Sequence, residues 1–226
     1  MTDEQLKLLK FAKDYYLLTA PQFARLTGRS VRAIRKAVSP LLQRRMLQVK
    51  HRLVKSQFSI YGLGREGAKV VGGESPRLEQ RSDYFLDHDL LITDVHIELK
   101  DWLVDWQQGK HLWKTVTPDA YFILERSGRQ RAFFLEADRA TMDVPDIQKK
   151  YRRYWEYFQA GQHTQLGIRT FSVLLVALDI DHAKKLARAV EGVIPKDYRK
   201  LYLFSSMPIE PCCVPHDEQR YTLMLD

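Results

Sequence analysis

The chain has 226 residues, 45% of them apolar and 28% charged, which gives core enough for one large domain or two ordinary ones and excludes a disordered tail. Its longest apolar runs, such as Phe171 to Leu178, fall far short of the ~18 residues that a membrane span needs, so no membrane partner is expected. The net charge of +8 is uneven: residues 1–80 hold 16 Lys+Arg against 6 Asp+Glu and the rest of the chain 20 against 22, so the N-terminal third is the part expected to meet a polyanion.

The first predicted helix runs from about Asp3 to Tyr15, with Leu6, Leu9, Phe11 and Ala12 on its core side. The second starts at Thr19 as N-cap, has Pro21 early in its first turn, carries Phe23 and Leu26, and stops at Gly28. Ser30 caps a third helix, whose inward residues Val31, Ile34, Val38 and Leu42 recur at helical spacing; Pro40 implies a kink or a break there. Two short strands follow, about Leu47–Leu53 and Gln57–Tyr61, joined by Val54-Lys55-Ser56. Tyr61-Gly62-Leu63-Gly64-Arg65-Glu66-Gly67 then leads into another helix. Glycines and a proline in Val71-Gly72-Gly73-Glu74-Ser75-Pro76 mark a boundary, giving a first domain over residues 1–75 and a second over residues 84–226.

Helix, helix, a tight turn at Gly28, a third helix and a basic hairpin is the order of a winged helix-turn-helix. The outer face of the third helix offers Arg29, Arg32, Arg35 and Lys36, where a major-groove helix needs cations for phosphates and guanidinium forks for base edges. The hairpin adds Lys50, His51, Arg52 and Lys55, placed to clamp a flanking backbone or minor groove. Double-stranded DNA is the expected partner; a winged helix that binds only protein is the alternative for this segment.

After the boundary the pattern changes. A helix is predicted from about Leu90 to Trp106, opened by His88-Asp89 with Asp89 as N-cap. It carries Leu91, Val95, Leu99, Trp102, Leu103 and Trp106 on one face and Glu98 near its inner edge. Strands follow at Trp113–Val116, Ala120–Glu125 and Arg131–Glu136, the last two joined by Arg126-Ser127-Gly128-Arg129. Then come a helix at about Pro145–Gln159, a buried strand at Phe171–Ala177, a helix at His182–Val190 and a strand near Leu201–Phe204. The fold class is α+β or α/β: a winged helix-turn-helix followed by an αβββαβ sheet domain with one further helix and strand.

Pro118-Asp119 opens one strand and Glu136-Ala137-Asp138 ends the next, and alternation puts Glu136 and Asp138 on one face. With Asp119 they form a candidate carboxylate cluster for Mg²⁺, which takes oxygen ligands and shares them with phosphates. Element order and residues resemble the PD-(D/E)xK nuclease core. In that family the third position is a lysine that positions or activates the attacking water; here Asp138 stands in its place. Some members carry the lysine on the following helix. The buried stripe of Pro145–Gln159 is Ile147, Tyr151, Tyr154 and Phe158; Lys149 points away from it, and Lys150 sits on its edge as the one serious substitute. The candidate catalytic residues are therefore Asp119, Glu136 and Lys150, and the candidate metal ligands Asp119, Glu136 and Asp138. DNA binding requires no cofactor; Mg²⁺ belongs to the enzymatic reading. Lys149, Arg152 and Arg153 read as a solvated or DNA-facing helix side. His111, His163 and His216 show no metal spacing and read as surface or capping residues, and no phosphate-binding glycine loop or nucleophile elbow is present.

The whole pattern resembles the replication-relaxation family of mobile-element proteins, a winged helix fused to a divergent nuclease-like domain. The resemblance spans roughly residues 5–180 and is carried by the segment ending Tyr61-Gly62-Leu63-Gly64-Arg65-Glu66-Gly67 and by His88-Asp89-Leu90-Leu91-Ile92-Thr93-Asp94-Val95. Pro118-Asp119-Ala120, Phe134-Leu135-Glu136-Ala137-Asp138-Arg139 and Lys149-Lys150-Tyr151-Arg152-Arg153-Tyr154 complete it. It implies an accessory DNA-binding role in replication, relaxation or transfer of a bacterial plasmid or conjugative element, with a relaxase or replication initiator as a candidate partner and no established catalytic activity. A homodimer is compatible with that role. Two alternatives stay open: a Mg²⁺-dependent DNA endonuclease, and a transcriptional repressor whose second domain dimerises. The acidic start Met1-Thr2-Asp3-Glu4 lacks a signal-peptide pattern, and the adjacent Cys212 and Cys213 cannot form a conventional internal disulfide or a zinc site, so a cytoplasmic location is expected.

Overall fold

The computed structural model describes residues 1–50, 58–108, 115–139 and 142–207, and the chain divides into two compact units, Met1–Ile97 and Glu98–Asp226. In the first unit, α1 (Asp3–Asp14) is closed at its start by a capping box between Thr2 and Gln5. A short strand, β1 (Leu17–Thr19), precedes α2 (Ala20–Thr27), where Thr19 and Gln22 form a second capping box. Gly28 ends α2 at φ 69°, a left-handed conformation that suits glycine. Ser30 then caps α3 (Val31–Gln43) by accepting from the Ala33 amide. Where a kink or a break was expected at Pro40, α3 runs on as one helix. Proline costs α3 one backbone donor, but Ile34, Val38 and Leu41 are fully buried and hold the helix through that point.

Strands β2 (Leu47–Lys50) and β3 (Ile60–Leu63) pair antiparallel, Leu47 opposite Leu63, and β1 pairs on the other side of β3, so the sheet order is β1-β3-β2. Arg52 and Lys55 lie outside the described residues. After β3, α4 (Arg65–Val71) starts against the backbone that leads into β2. A Cβ at Gly64 would lie 2.3 Å from the Arg45 carbonyl oxygen, and one at Gly67 would lie 2.1 Å from that of Met46. Both contacts demand glycine. The core joins Leu8, Leu9 and Ala12 of α1 to Phe23, Ile34, Val38, Leu41, Leu47 and Leu63.

The helix expected over Leu90–Trp106 is displaced. The structure has α5 (Asp83–Leu99), then β4 (Leu103–Gln108). Asp89 is thus inside a helix and pairs with Arg81, rather than capping one. Trp102, Leu103 and Trp106 had continued the helical spacing, but β4 is an edge strand with a register shift between Leu103 and Asp105. That irregularity breaks the period-2 signature of a strand. The unit boundary falls inside α5, between Ile97 and Glu98, and not at the glycines 72–73.

In the second unit, β5 (Ala120–Arg126) and β6 (Arg129–Asp138) form a hairpin, followed by α6 (Val144–Gln159), β7 (Phe171–Ala177), α7 (Ile180–Val190) and β8 (Tyr202–Ser206). The five strands run in the order β4-β5-β6-β7-β8; β4, β5 and β6 are antiparallel neighbours, and β6, β7 and β8 are parallel. Thr115 and Val116 belong to no strand, and Trp113 lies outside the described residues. One sheet face, through Phe134, Val173, Leu175, Tyr202 and Phe204, packs on Ile147, Tyr151 and Tyr154 of α6 and on Ala183, Leu186 and Val190 of α7. His163, expected at the surface, is buried here: it stacks on Phe158 with centroids 5.0 Å apart, and its Nε2 lies 3.1 Å from the Arg169 carbonyl oxygen.

Candidate functional site

In the first unit the buried side of α3 fixes what its other side offers. Arg32, Arg35 and Lys36 are all exposed, interleaved with the buried Ile34 and Val38. Arg29 precedes the cap and forms an ion pair with Glu4, with nearly half of its side chain still exposed. Lys50, expected to clamp DNA, is engaged within the unit: its ammonium donates to the Arg81 carbonyl and lies 3.7 Å from the Asp83 carboxylate, and the side chain is only 17% exposed. It anchors the base of the hairpin. Arg44 and Arg45, exposed at the end of α3, extend the cationic surface and were missed because they follow the helical pattern.

In the second unit, chain order and pairing bring the carboxylates together. Ala120 of β5 faces Leu135 of β6, and the Asp119 amide donates to the Leu135 carbonyl at 2.9 Å, so Asp119 and Glu136 stand beside one another at the end of the hairpin. Asp119 is held by accepting the Ala137 amide through Oδ2 at 2.8 Å. Glu136 is fully buried, accepts the Tyr154 hydroxyl and pairs with the Lys150 ammonium. Lys150 therefore does reach over the sheet from the edge of the buried face of α6, four residues before Tyr154. The Tyr151 hydroxyl, one residue further, is buried with no hydrogen-bond partner.

These surroundings set the charges. Burial pushes the Glu136 carboxyl up to about 7, which the nearby Asp119 charge reinforces and Lys150 and Tyr154 only partly offset. Burial alone would lower the Lys150 ammonium, but Glu136, Asp119 and Asp138 hold it above its ordinary value. Lys150 thus stays cationic at neutral pH. Burial, with the Glu136 charge added, also raises the Tyr151 and Tyr154 hydroxyls well above their ordinary range.

Asp138 shares the face of Glu136 but has another use. Its Oδ2 lies 2.6 Å from His182 Nε2, and its Oδ1 accepts the Met142 amide at 3.3 Å. Among the described residues no group of three or more His, Cys, Asp and Glu side chains is arranged to hold a metal ion. Of the expected ligands Asp119, Glu136 and Asp138, Asp138 is hydrogen-bonded to His182. Asp119 and Glu136 stand side by side, a pair that fits Mg²⁺ where substrate phosphate and water complete its shell. Nothing in the spacing of the sequence points to His182. Only the parallel pairing of Asp138 with Ala177 brings the start of α7 to this place.

A winged helix-turn-helix followed by a five-stranded mixed sheet packed against helices defines the class of protein. The chain belongs to the replication-relaxation family, whose sequence model matches residues 9–170. Among solved structures it is similar to the adhesin competence repressor of Streptococcus pyogenes, at 19% identity over 45% of this chain and 68% of that one, with a TM-score of 0.29. It is also similar to the restriction endonuclease FokI, at 13% identity over 84% of this chain and 39% of that one, with a TM-score of 0.36. No curated protein matches the chain. No helix among the described residues is long and apolar enough to cross a membrane.

Proposed function

We propose that the chain binds duplex DNA through its winged helix, as an accessory protein in the replication, relaxation or transfer of a bacterial plasmid or mobile element. The observation that carries this reading is the exposed row Arg32, Arg35 and Lys36 on α3, backed by a rigid apolar core. A helix so placed offers guanidinium forks to base edges and cations to phosphates. A relaxase or replication initiator is the partner this role implies. The test is fluorescence anisotropy of the full chain on labelled duplex as salt is raised. The log–log slope should be about −0.9 for each phosphate neutralised, and a flat salt response would sink the reading.

The Lys150–Glu136 contact favours a second reading, metal-dependent phosphodiester cleavage in the second unit. Asp119 and Glu136 would hold Mg²⁺, which would polarise the phosphate and lower the pKa of water. Lys150 would supply the cation that Asp138 does not, orienting the attacking water beside the phosphate. Incubation with supercoiled plasmid and Mg²⁺ or Mn²⁺ separates the readings. Nicking abolished by Asp119→Ala and by Lys150→Ala establishes the enzyme. Intact plasmid with the unmodified protein leaves binding as the function.

A further inference from the structure

We propose that the second unit carries a DNA-backbone contact of its own, formed by Lys149, Arg152 and Arg153 on the outer side of α6 and independent of the winged helix. This goes beyond the function proposed above, which places DNA recognition in the first unit alone.

The case starts from helical geometry. Buried Ile147, Tyr151 and Tyr154 fix the inner side of α6. Stepping about 100° per residue, Lys150 lies at the edge of that stripe, Arg153 follows on the solvent side, then Lys149, then Arg152. All three outer cations are exposed, and none has an acidic partner among the described residues. Asp146 and Glu156 are the acidic residues exposed within the row. The row begins at Lys150, so it leads from solvent to the Asp119–Glu136 site. It also continues sideways: Gln148 Nε2 donates to the Ala189 carbonyl at 2.7 Å, tying α6 to α7, which exposes Lys185 and Arg188.

Charge is concentrated on this layer. Residues 144–190 hold 8 Lys+Arg against 4 Asp+Glu, although residues 81–226 as a whole hold 20 against 22. Asp146 and Glu156 are exposed among these cations but form no ion pair with them among the described residues, and arginine and lysine at i, i+3 and i+4 suit successive phosphates, which are recognised by charge and forked donors without base information. The partner is therefore a nucleic-acid backbone. Duplex and single strand present the same phosphate chemistry, and the assay includes both.

The experiment uses the full chain in four forms: unmodified, Arg32→Ala with Arg35→Ala, Lys149→Gln with Arg152→Gln and Arg153→Gln, and all five changes together. Each is titrated by anisotropy against a random-sequence duplex and against a single strand of equal length, across a range of salt. Adding the three α6 changes to the α3 variant is expected to lower affinity at least about tenfold and to make the log–log salt slope shallower by roughly 2–3, at about 0.9 per phosphate. The form of DNA that suffers the larger loss identifies the natural ligand. Affinity and slope within about twofold of the α3 variant on both DNAs would overturn the proposal. Losses confined to the α6 variant would instead refute the winged-helix reading and leave this one standing. Photo-crosslinking of the unmodified chain to DNA guards against a folding artefact: a crosslinked peptide from Val144–Gln159 is expected, and crosslinks in the first unit alone would count against the proposal.

Discussion

Replacing Glu136 by glutamine changes how stability depends on pH. Glu136 is fully buried and its carboxyl is pushed from 4.5 to about 7 by burial, so the folded protein prefers the protonated acid. Such a group contributes stability that is fully present below pH 4.5 and is lost as pH rises through about 7. That gap corresponds to about 3 kcal/mol. Glu136→Gln is permanently neutral, nearly isosteric and still able to accept the Tyr154 hydroxyl, so it is spared this loss. The stability difference between variant and unmodified protein should grow by about 3 kcal/mol in favour of the variant between pH 4.5 and 7, equivalent to a Tm difference on the order of 10 °C. The contribution of Lys150 enters as an offset and not as a slope, because its ammonium stays charged throughout. Urea unfolding followed by tryptophan fluorescence is the assay. All four tryptophans, Trp102, Trp106, Trp113 and Trp155, lie in the second unit, so the signal reports the unit that holds Glu136. Parallel stability curves for the two proteins from pH 5 to 8 would refute the burial argument.

Three further outcomes follow from particular contacts. Gly67→Ala drives a Cβ against the Met46 carbonyl and should cost the first unit ~1–3 kcal/mol; helical circular dichroism should melt earlier and DNA affinity fall, while the tryptophan transition stays put. His182→Ala removes a hydrogen-bond partner from the buried Asp138 and should destabilise the second unit by ~1–3 kcal/mol in the same fluorescence assay; an unchanged midpoint would show that the pair is idle. Lys50→Ala should lower the melting of the first unit more than it changes the salt slope of DNA binding, since its ammonium is spent on Arg81 and Asp83.

Much of the fold was legible because local chemistry and tertiary structure agree. Thr19 and Ser30 cap the helices they announce, Gly28 takes the left-handed turn, and Phe171–Ala177 forms the buried strand that its continuous apolar run indicates. The failures have physical causes. Three residues of β1 make too short a window for alternation to register, and the shifted register of β4 let Trp102 and Trp106 pass as a continuation of helix. Leu8, buried in α1, lost its place to Leu6 because two apolar residues two apart compete for one face. The site shows the same division. Asp119 and Glu136 meet through a hairpin whose turn the sequence displays, and Lys150 through the helical step to Tyr154. His182 meets Asp138 across 44 residues of chain, and only sheet topology makes that contact.

The central claim is that α3 reads DNA, and base-specific discrimination tests it most directly. A preferred site is first selected by the full chain from a pool of randomised duplexes, and affinities for that site and for a random duplex are then measured for the unmodified protein, Arg32→Ala and Arg35→Ala. Each substitution should cost ~1–3 kcal/mol on the selected site, relax the preference at one or two positions, and weaken random-sequence binding far less. Equal losses on both duplexes, or selection that returns no preferred site at all, would contradict the assignment of α3 as the reading helix.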